Sequence, residues 1–203
     1  MPCMVDLIHE MTIRVPHFGH IKSNQIIIRT SHERKRRGSG LLAYVLPMKF
    51  RDGCPVDLRR RGQREFHYAM IPVFVGGREI LYIISFVLPR FYHLTLRLKL
   101  ETVIHELYHI SPSFNGDVRR LRGRSYLHGN SLKDYDETIR NLTDGFLQSS
   151  HRKASYAFLR GSFSSTRKRF SELATVRCPG PRQKLIKIVS LPAISGSTDR
   201  FAV

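Results

Sequence analysis

The stretch that decides the fold is LTLRLKLETVIHELYHI, residues 94–110. It contains neither glycine nor proline, and its apolar residues recur at alternating steps of four and three, a spacing that predicts a helix with one face in a core. This apolar stripe comprises Leu96, Leu100, Val103, Leu107 and Ile110. Residues four apart project from nearly the same side of a helix, so we expect His105 and His109 together, roughly opposite the stripe.

Glu106 follows the first of these histidines, which makes the local sequence an HExxH motif. Two imidazoles four residues apart can bind one metal ion, and a glutamate beside that metal can take a proton from a coordinated water. Because the chain contains 10 histidines, the same five residues could also be polar residues on a surface helix. The apolar stripe on the other side of the helix favours a metal site that faces a cleft.

A catalytic zinc site takes three protein ligands and leaves one position open, so the motif needs a third ligand from elsewhere. His128 is the leading candidate, because it is an imidazole that lies just before a second predicted helix. Asp136 and Glu137, on that helix, are the alternatives. Asp117 is nearer in sequence, but within Asn115-Gly116-Asp117 we expect it to form a turn.

The sequence upstream of the motif predicts strands and basic connections. Residues 25–29 and 41–46 are short apolar runs typical of strands. A basic loop, Arg34 to Gly40, lies between them, and the triplet Arg59-Arg60-Arg61 lies in the connector that follows. These two clusters are candidates for a phosphate-binding surface, although charged runs are commonly solvated loops.

A glycine pair next predicts a hairpin. Residues 66–75 and 78–87 are β-rich and flank Gly76-Gly77. Pro72 lies inside the first run and has no N–H to donate to a ladder, which predicts an edge or bulged strand there.

Beyond the motif the sequence predicts one more helix and then a change in composition. Pro112 stops the first helix, and Ser131 is a good N-cap for the second. The apolar stripe of the second helix comprises Leu132, Tyr135, Ile139, Leu142 and Phe146. Residues 150–203 are basic and then rich in Pro, Gly and Ser, with one strand-like run at 185–189. We therefore predict a domain over residues 1–149 and a basic, loosely ordered C-terminal extension over 150–203.

Composition limits the class of protein and its partners. The chain has 203 residues, 41% of them hydrophobic, which suffices for the core of one compact domain. Its net charge of +18 attracts polyanions, so nucleic acid is a possible partner through the basic surface. The sequence has no apolar run of eighteen residues, so we predict no membrane span. The N-terminus does not resemble a signal peptide. Three widely separated cysteines predict a reducing, cytoplasmic location.

The order of elements, with strands first, then an HExxH helix, a turn and a distant third ligand, resembles the zincin metallopeptidases. His128-Gly129 is similar to the His-Gly pair of the SprT-like group, and residues 88–91 and 114–120 resemble a set of bacterial and phage metallopeptidases. The resemblance covers Ile80 to Phe146. It does not extend to the metzincins, because residues 112 and 115 are Pro and Asn, and the zinc ribbon common in SprT-like proteins is missing.

This resemblance implies a small α+β zincin-like domain, with an antiparallel or mixed sheet packed on the HExxH helix and a second helix. It implies a Zn²⁺ cofactor held by His105, His109 and His128, a protein or peptide substrate, and Glu106 as the general base. The sequence does not decide which residue stabilises the oxyanion. The candidates are Tyr108, Tyr126, Arg119, Arg120, Arg122 and Arg124. The alternative function is a basic nucleic-acid-binding protein with a structural or degenerate metal site. The oligomeric state stays open.

Overall fold

A computed structural model describes residues 3–32, 40–123, 125–129, 131–149, 153–161, 178 and 180–190. Over these residues the chain is a small α+β domain with four α-helices and with mixed and antiparallel sheets. The helices are α1 (Met4–Arg14), α2 (Arg90–His93), α3 (Leu96–Tyr108) and α4 (Leu132–Ser149). The strands are β1 (Ile26–His32), β2 (Ala43–Pro47), β3 (Val56–Arg61), β4 (Arg64–Met70), β5 (Phe74–Val75), β6 (Arg78–Glu79), β7 (Tyr82–Leu88) and β8 (Gln183–Ser190).

Strand β7 is the centre of the first sheet. It pairs in parallel with β1 and antiparallel with β2, in the order β1-β7-β2. All seven of its residues are buried, which explains why its sequence, YIISFVL, is almost continuously apolar. Both apolar runs predicted as strands upstream, 25–29 and 41–46, are confirmed as β1 and β2 with small shifts at their ends.

Helix α3 packs its apolar stripe into the main core, as the sequence predicts. Leu100, Val103, Leu107 and Ile110 are fully buried, and Leu96 is half-buried against the same cluster. The Thr95 hydroxyl accepts a hydrogen bond from the Leu98 N–H at 3.3 Å and so caps the start of the helix. The helix ends at Tyr108, four residues before Pro112.

Helix α4 is also confirmed, with Ser131 as its cap. The Ser131 hydroxyl accepts a hydrogen bond from the Asp134 N–H at 3.2 Å. Tyr135, Ile139 and Phe146 are buried as the stripe predicts, whereas Leu132 is 67% exposed because it precedes the part of the helix that contacts the core.

Helix α1 was not predicted from the sequence. Leu7, Ile8 and Met11 are fully buried in the core cluster, and the Asp6 carboxylate accepts a hydrogen bond from the Cys3 N–H at 2.9 Å. Those three apolar residues have helical spacing, so the pattern was present, although short.

The predicted hairpin is wrong in its extent. Its Gly76-Gly77 turn exists, but β5 and β6 contribute only two residues each. The longer runs on either side, β4 and β7, belong to different sheets. Residues 71–73 lie outside the strands, and Pro72 among them has no N–H to donate, so β4 ends there and the chain passes to the short β5-β6 pair before it enters β7.

The second sheet has the order β3-β4-β8 and is antiparallel throughout. Arg59-Arg60-Arg61 therefore lies on a strand, β3, and the prediction of a connector there is wrong. The other predicted basic cluster, Arg34 to Gly40, lies outside the described residues apart from Gly40. Strand β8 comes from residues 183–190, within the segment predicted as an extension.

A second part of that segment contacts the main core. Residues 153–159 form a short 3-10 helix in which Tyr156 and Leu159 are buried. Lys99, only 1% exposed, donates hydrogen bonds from Nζ to the carbonyls of Leu159 (2.8 Å) and Gly161 (2.9 Å). Among the helices of the described ranges, none has the length and apolar character needed to cross a bilayer.

Candidate metal centre

The three histidines predicted as ligands lie together. His105 is in the last turn of α3, and His109 immediately follows the helix and caps it. Nε2 of His105 and Nε2 of His109 are 3.0 Å apart. The His128 ring centroid lies 5.5 Å from that of His105 and 5.2 Å from that of His109. One ligand atom from each residue lies within 4.8 Å of the other two, so these side chains form a group that could hold a metal ion.

The loop between α3 and α4 reverses direction and so returns the chain to the histidines. Ile110 and Val118 form an isolated antiparallel bridge, and the Ser111 N–H donates to the Asp117 carbonyl at 3.3 Å. A second tight reversal pairs Ser125 with Gly129 through two hydrogen bonds of 3.1 and 2.7 Å. Gly129 has a φ of 72°, which favours glycine. His128 is therefore held next to the end of α3 by local backbone geometry.

Asp117 lines a cavity together with the three histidines, but its carboxylate is already engaged in hydrogen bonds. Its carboxylate accepts hydrogen bonds from the N–H groups of Asp52 (2.9 Å) and Val118 (2.7 Å) and two from the Arg120 guanidinium (3.1 Å each). This agrees with the interpretation of Asp117 as a turn former.

Asp136 and Glu137, the alternative third ligands, are exposed on α4. Among the described residues, the group of side chains that could hold a metal ion contains His128 and neither of these carboxylates.

Tyr135 packs against all three imidazoles, a contact that the sequence did not reveal. Its ring centroid lies 4.8 Å from that of His128, 5.1 Å from that of His105 and 5.9 Å from that of His109. The side chain is 4% exposed, and its hydroxyl has no hydrogen-bond partner among the described residues. Burial raises the pKa of this hydroxyl, so it stays protonated. The apolar stripe of α4 includes Tyr135, but sequence periodicity alone does not distinguish a core tyrosine from one that supports a site.

Burial makes the two histidines of the motif neutral. It lowers the pKa of His105 to about 4 and that of His109 to about 3, and the neighbouring imidazoles act in the same direction. A neutral imidazole has a free lone pair on one ring nitrogen, which is the form that binds a metal. Nδ1 of His109 is buried without a hydrogen-bond partner among the described residues.

Glu106 is a buried carboxylate at the same cavity. It is only 4% exposed, and burial raises its pKa to about 8, although a hydrogen bond from the Val45 backbone N–H opposes this shift. Val45 belongs to β2, the edge strand beside α3, so the sheet positions the carboxylate. A carboxyl group with a pKa near neutrality is suited to accepting and returning a proton.

The cavity has a volume of about 600 Å³ and brings together elements that are distant in sequence. Its lining includes residues of β2, Met70 of β4, and Pro181 and Gln183. Lys49, Arg51 and Arg120 also line it. The sequence did not predict the contribution of Pro181 and Gln183, because a strand-like run near the C-terminus carries no information about which sheet it joins.

The candidates for oxyanion stabilisation differ in whether they line the cavity. Tyr126 and Arg120 line the cavity, with the Arg120 guanidinium 5.2 Å from the Tyr126 ring centroid. Arg119 instead donates a hydrogen bond to the Tyr108 carbonyl at 2.7 Å and lies 4.4 Å from the centroid of that ring. Arg122 is exposed, and Arg124 lies outside the described residues.

The donor set fits zinc by its chemistry. Tetrahedral zinc holds imidazole nitrogens at about 2.0–2.1 Å and so separates them by about 3.3 Å. The 3.0 Å between the two motif nitrogens is close to that spacing, and imidazole is a preferred zinc ligand.

Comparisons of this chain with protein families, characterised proteins and solved structures found no match.

Proposed function

We propose that the protein is a zinc-dependent metallopeptidase with a zincin-like arrangement. The observation that carries the proposal is the group of His105, His109 and His128, whose ligand atoms lie within 4.8 Å of one another at a cavity that Glu106 also lines. Three imidazoles and one adjacent carboxylate are the minimum set for metal-assisted hydrolysis of an amide.

Each residue has a distinct role in this proposal. The three histidines hold the metal, and Tyr135 keeps their rings in position by packing. When bound, zinc lowers the pKa of a water molecule and polarises a carbonyl. Glu106 takes the proton from the attacking water and then passes it to the leaving amine, for which a pKa near neutrality is favourable. Tyr126 and Arg120, which line the cavity, are the proposed hydrogen-bond donors to the developing oxyanion.

The substrate in this proposal is an extended polypeptide. Strand β2 borders the cavity and, within the described residues, pairs with a strand on one side only. A substrate strand laid along the free edge would place a peptide bond beside the histidines. We also propose a cytoplasmic location, supported by the free thiols of Cys3 and Cys54, which are typical of a reducing compartment.

Metal content tests the site directly. We expect wild type, purified and reconstituted with zinc, to hold about one zinc per chain by elemental mass spectrometry, and His105→Ala and His128→Ala to lose most of it. The matched control is His93→Ala, because His93 is an exposed histidine on α2. Retention of zinc by His128→Ala would exclude His128 as a ligand, and no zinc in wild type would reject the proposal.

Peptide cleavage tests the reaction separately. We expect wild type to cleave unfolded protein substrates, and Glu106→Gln to retain zinc but lose activity by at least about 100-fold, because it removes the general base alone. Full activity in Glu106→Gln would contradict the assigned role.

A further inference from the structure

One face of the second sheet combines arginines with aromatic rings. Side chains alternate between the two faces of a strand, so the pairing register determines which of them lie together. Arg64, Phe66 and Tyr68 of β4 share a face. Opposite them on the same face lie Arg61, Arg59 and Asp57 of β3, and Ser190, Ile188 and Leu185 of β8. We call this set the arginine–aromatic face.

Side-chain contacts agree with this assignment. The Arg59 guanidinium lies 4.6 Å from the Tyr68 ring centroid. It also donates hydrogen bonds to the Asp57 carboxylate (2.7 Å) and the Gln183 amide oxygen (3.0 Å). These contacts join all three strands across one face, so Arg59 and Tyr68 form a fixed cation–π pair.

The face is positively charged. Asp57 is its one acidic residue, and Arg59 neutralises it. Arg61 and Arg64 are exposed, and none of the described acidic side chains forms an ion pair with them. Because the whole chain carries +18, a polyanion would be attracted to the face from a distance.

The face also offers flat apolar surface between its charges. Phe66 and Tyr68 are partly exposed, and Leu185 and Ile188 beside them are 42% and 52% exposed. Aromatic rings that alternate with arginines on an open sheet suit unpaired bases, since bases stack on the rings while arginines bind the phosphates. A duplex keeps its bases stacked inside and so cannot use the rings.

We propose that the arginine–aromatic face binds single-stranded nucleic acid, with phosphates at Arg61 and Arg64 and a base stacked on Phe66. The face continues into the cavity, because Met70 and Gln183 share it and also line the cavity. A bound strand would thus lie beside the candidate metal centre. The proposal does not depend on the proposed function, because it requires neither metal nor peptide cleavage.

The opposite face of the same sheet provides a matched control. It carries Lys184, Lys187 and Arg60, with Glu65 as its acidic residue. Its aromatic ring, His67, is engaged by the Glu65 carboxylate at 2.9 Å. The two faces therefore have the same formal charge and differ in their exposed aromatic surface.

Fluorescence anisotropy in the presence of EDTA measures the binding. The probes are a labelled oligothymidylate of about 15 nucleotides and an abasic phosphodiester chain of the same length and charge. The variants are Phe66→Leu, which removes the ring but keeps the bulk, the pair Arg61→Ser/Arg64→Ser, and the control pair Lys184→Ser/Lys187→Ser. Thermal unfolding of each variant establishes that the fold is kept.

We expect oligothymidylate to bind about tenfold more tightly than the abasic chain, because one of its bases stacks on the Phe66 ring. Phe66→Leu should remove that difference. The arginine pair should weaken binding at least about tenfold and reduce the salt slope by about 1.4, while the lysine pair has a much smaller effect. Equal binding of the abasic chain, or equal loss in both pairs, would overturn the proposal. Equal competition by polyglutamate would reassign the face to acidic proteins.

Discussion

At the scale of single residues, the site holds ionisable groups where burial opposes their charge. Glu106 has its pKa raised to about 8, and His105 and His109 have theirs lowered to about 4 and about 3. All three groups are neutral near pH 7 in the metal-free protein. A divalent cation would reverse the preference of Glu106, because a positive charge nearby favours the carboxylate.

The stability of the metal-free protein should therefore depend on Glu106 in a defined direction. The folded-state pKa is raised above the value of 4.5 for the free side chain. This contribution to stability is fully present below about pH 4.5 and is lost as the pH rises through about 8. Because glutamine carries no titrating proton, Glu106→Gln should gain in melting temperature relative to wild type between about pH 5 and about pH 9.

Thermal unfolding in EDTA measures this difference. Glu137→Gln is the control, because Glu137 is exposed on α4. A melting-temperature difference between Glu106→Gln and wild type that stays constant with pH would contradict the buried environment of Glu106.

Tyr135 combines a ring that packs on the histidines with a hydroxyl that has no partner among the described residues. Tyr135→Phe keeps the ring and removes the buried polar atom, so we expect unchanged zinc content and a stability gain of up to about 1 kcal/mol. Tyr135→Ala also removes the ring, and we expect it to lower stability by about 3–5 kcal/mol and to weaken zinc binding.

Urea unfolding and a competitive zinc chelator measure the two effects in both variants. A loss of more than about 1 kcal/mol in Tyr135→Phe would show that the hydroxyl is hydrogen-bonded.

At the scale of elements, each helix of the site is held by contacts outside the site. Helix α3 presents its histidines on one side because its apolar stripe, on the other side, is buried in the main core cluster. Its buried Lys99 satisfies two carbonyls at the end of the 3-10 helix 153–159. This interaction fixes part of the C-terminal segment to the back of the helix.

Lys99→Met should loosen that attachment. Methionine fills a similar volume but leaves the Leu159 and Gly161 carbonyls without their donor, which predicts a loss of about 1–3 kcal/mol. Lys133→Met, an exposed lysine on α4, should change stability by less than about 0.5 kcal/mol. Denaturant unfolding compares the two variants, and equal stabilities would refute the structural role of Lys99.

At the scale of the whole molecule, the two three-stranded sheets differ in how they are stabilised. Strand β7 is buried along its full length, whereas β3 and β8 expose most of their residues. Because local stability follows buried apolar contact, the first sheet should open only on global unfolding.

Hydrogen exchange tests this contrast. Amides of β7 should exchange most slowly, and those of β3 and β8 that are hydrogen-bonded to β4 should exchange at least about 100-fold faster. Equal protection in both sheets would contradict this difference in stability.

Sequence patterns predicted the helices and strands in which apolar residues recur over several turns or form a continuous run. Helices α3 and α4 follow from their stripes, and β1 and β2 from their apolar runs. Helix α1 was missed, since its apolar positions span little more than one turn. The long hairpin was wrongly predicted because two β-rich runs, which contain β4 and β7, flank a glycine turn. Local sequence does not reveal that β4 and β7 belong to different sheets.

Helical periodicity is a local property, so the sequence alone is enough to predict that His105 and His109 share one side of a helix with Glu106 beside them. The tertiary fold brings His128 and Tyr135 to those histidines and places Pro181 and Gln183 in the lining of the cavity. The register of β8 on β4, which creates the arginine–aromatic face, was likewise a tertiary outcome. Such contacts depend on loop reversals and on strand pairing between residues that are distant in sequence. They therefore leave no local spacing pattern from which they could be predicted.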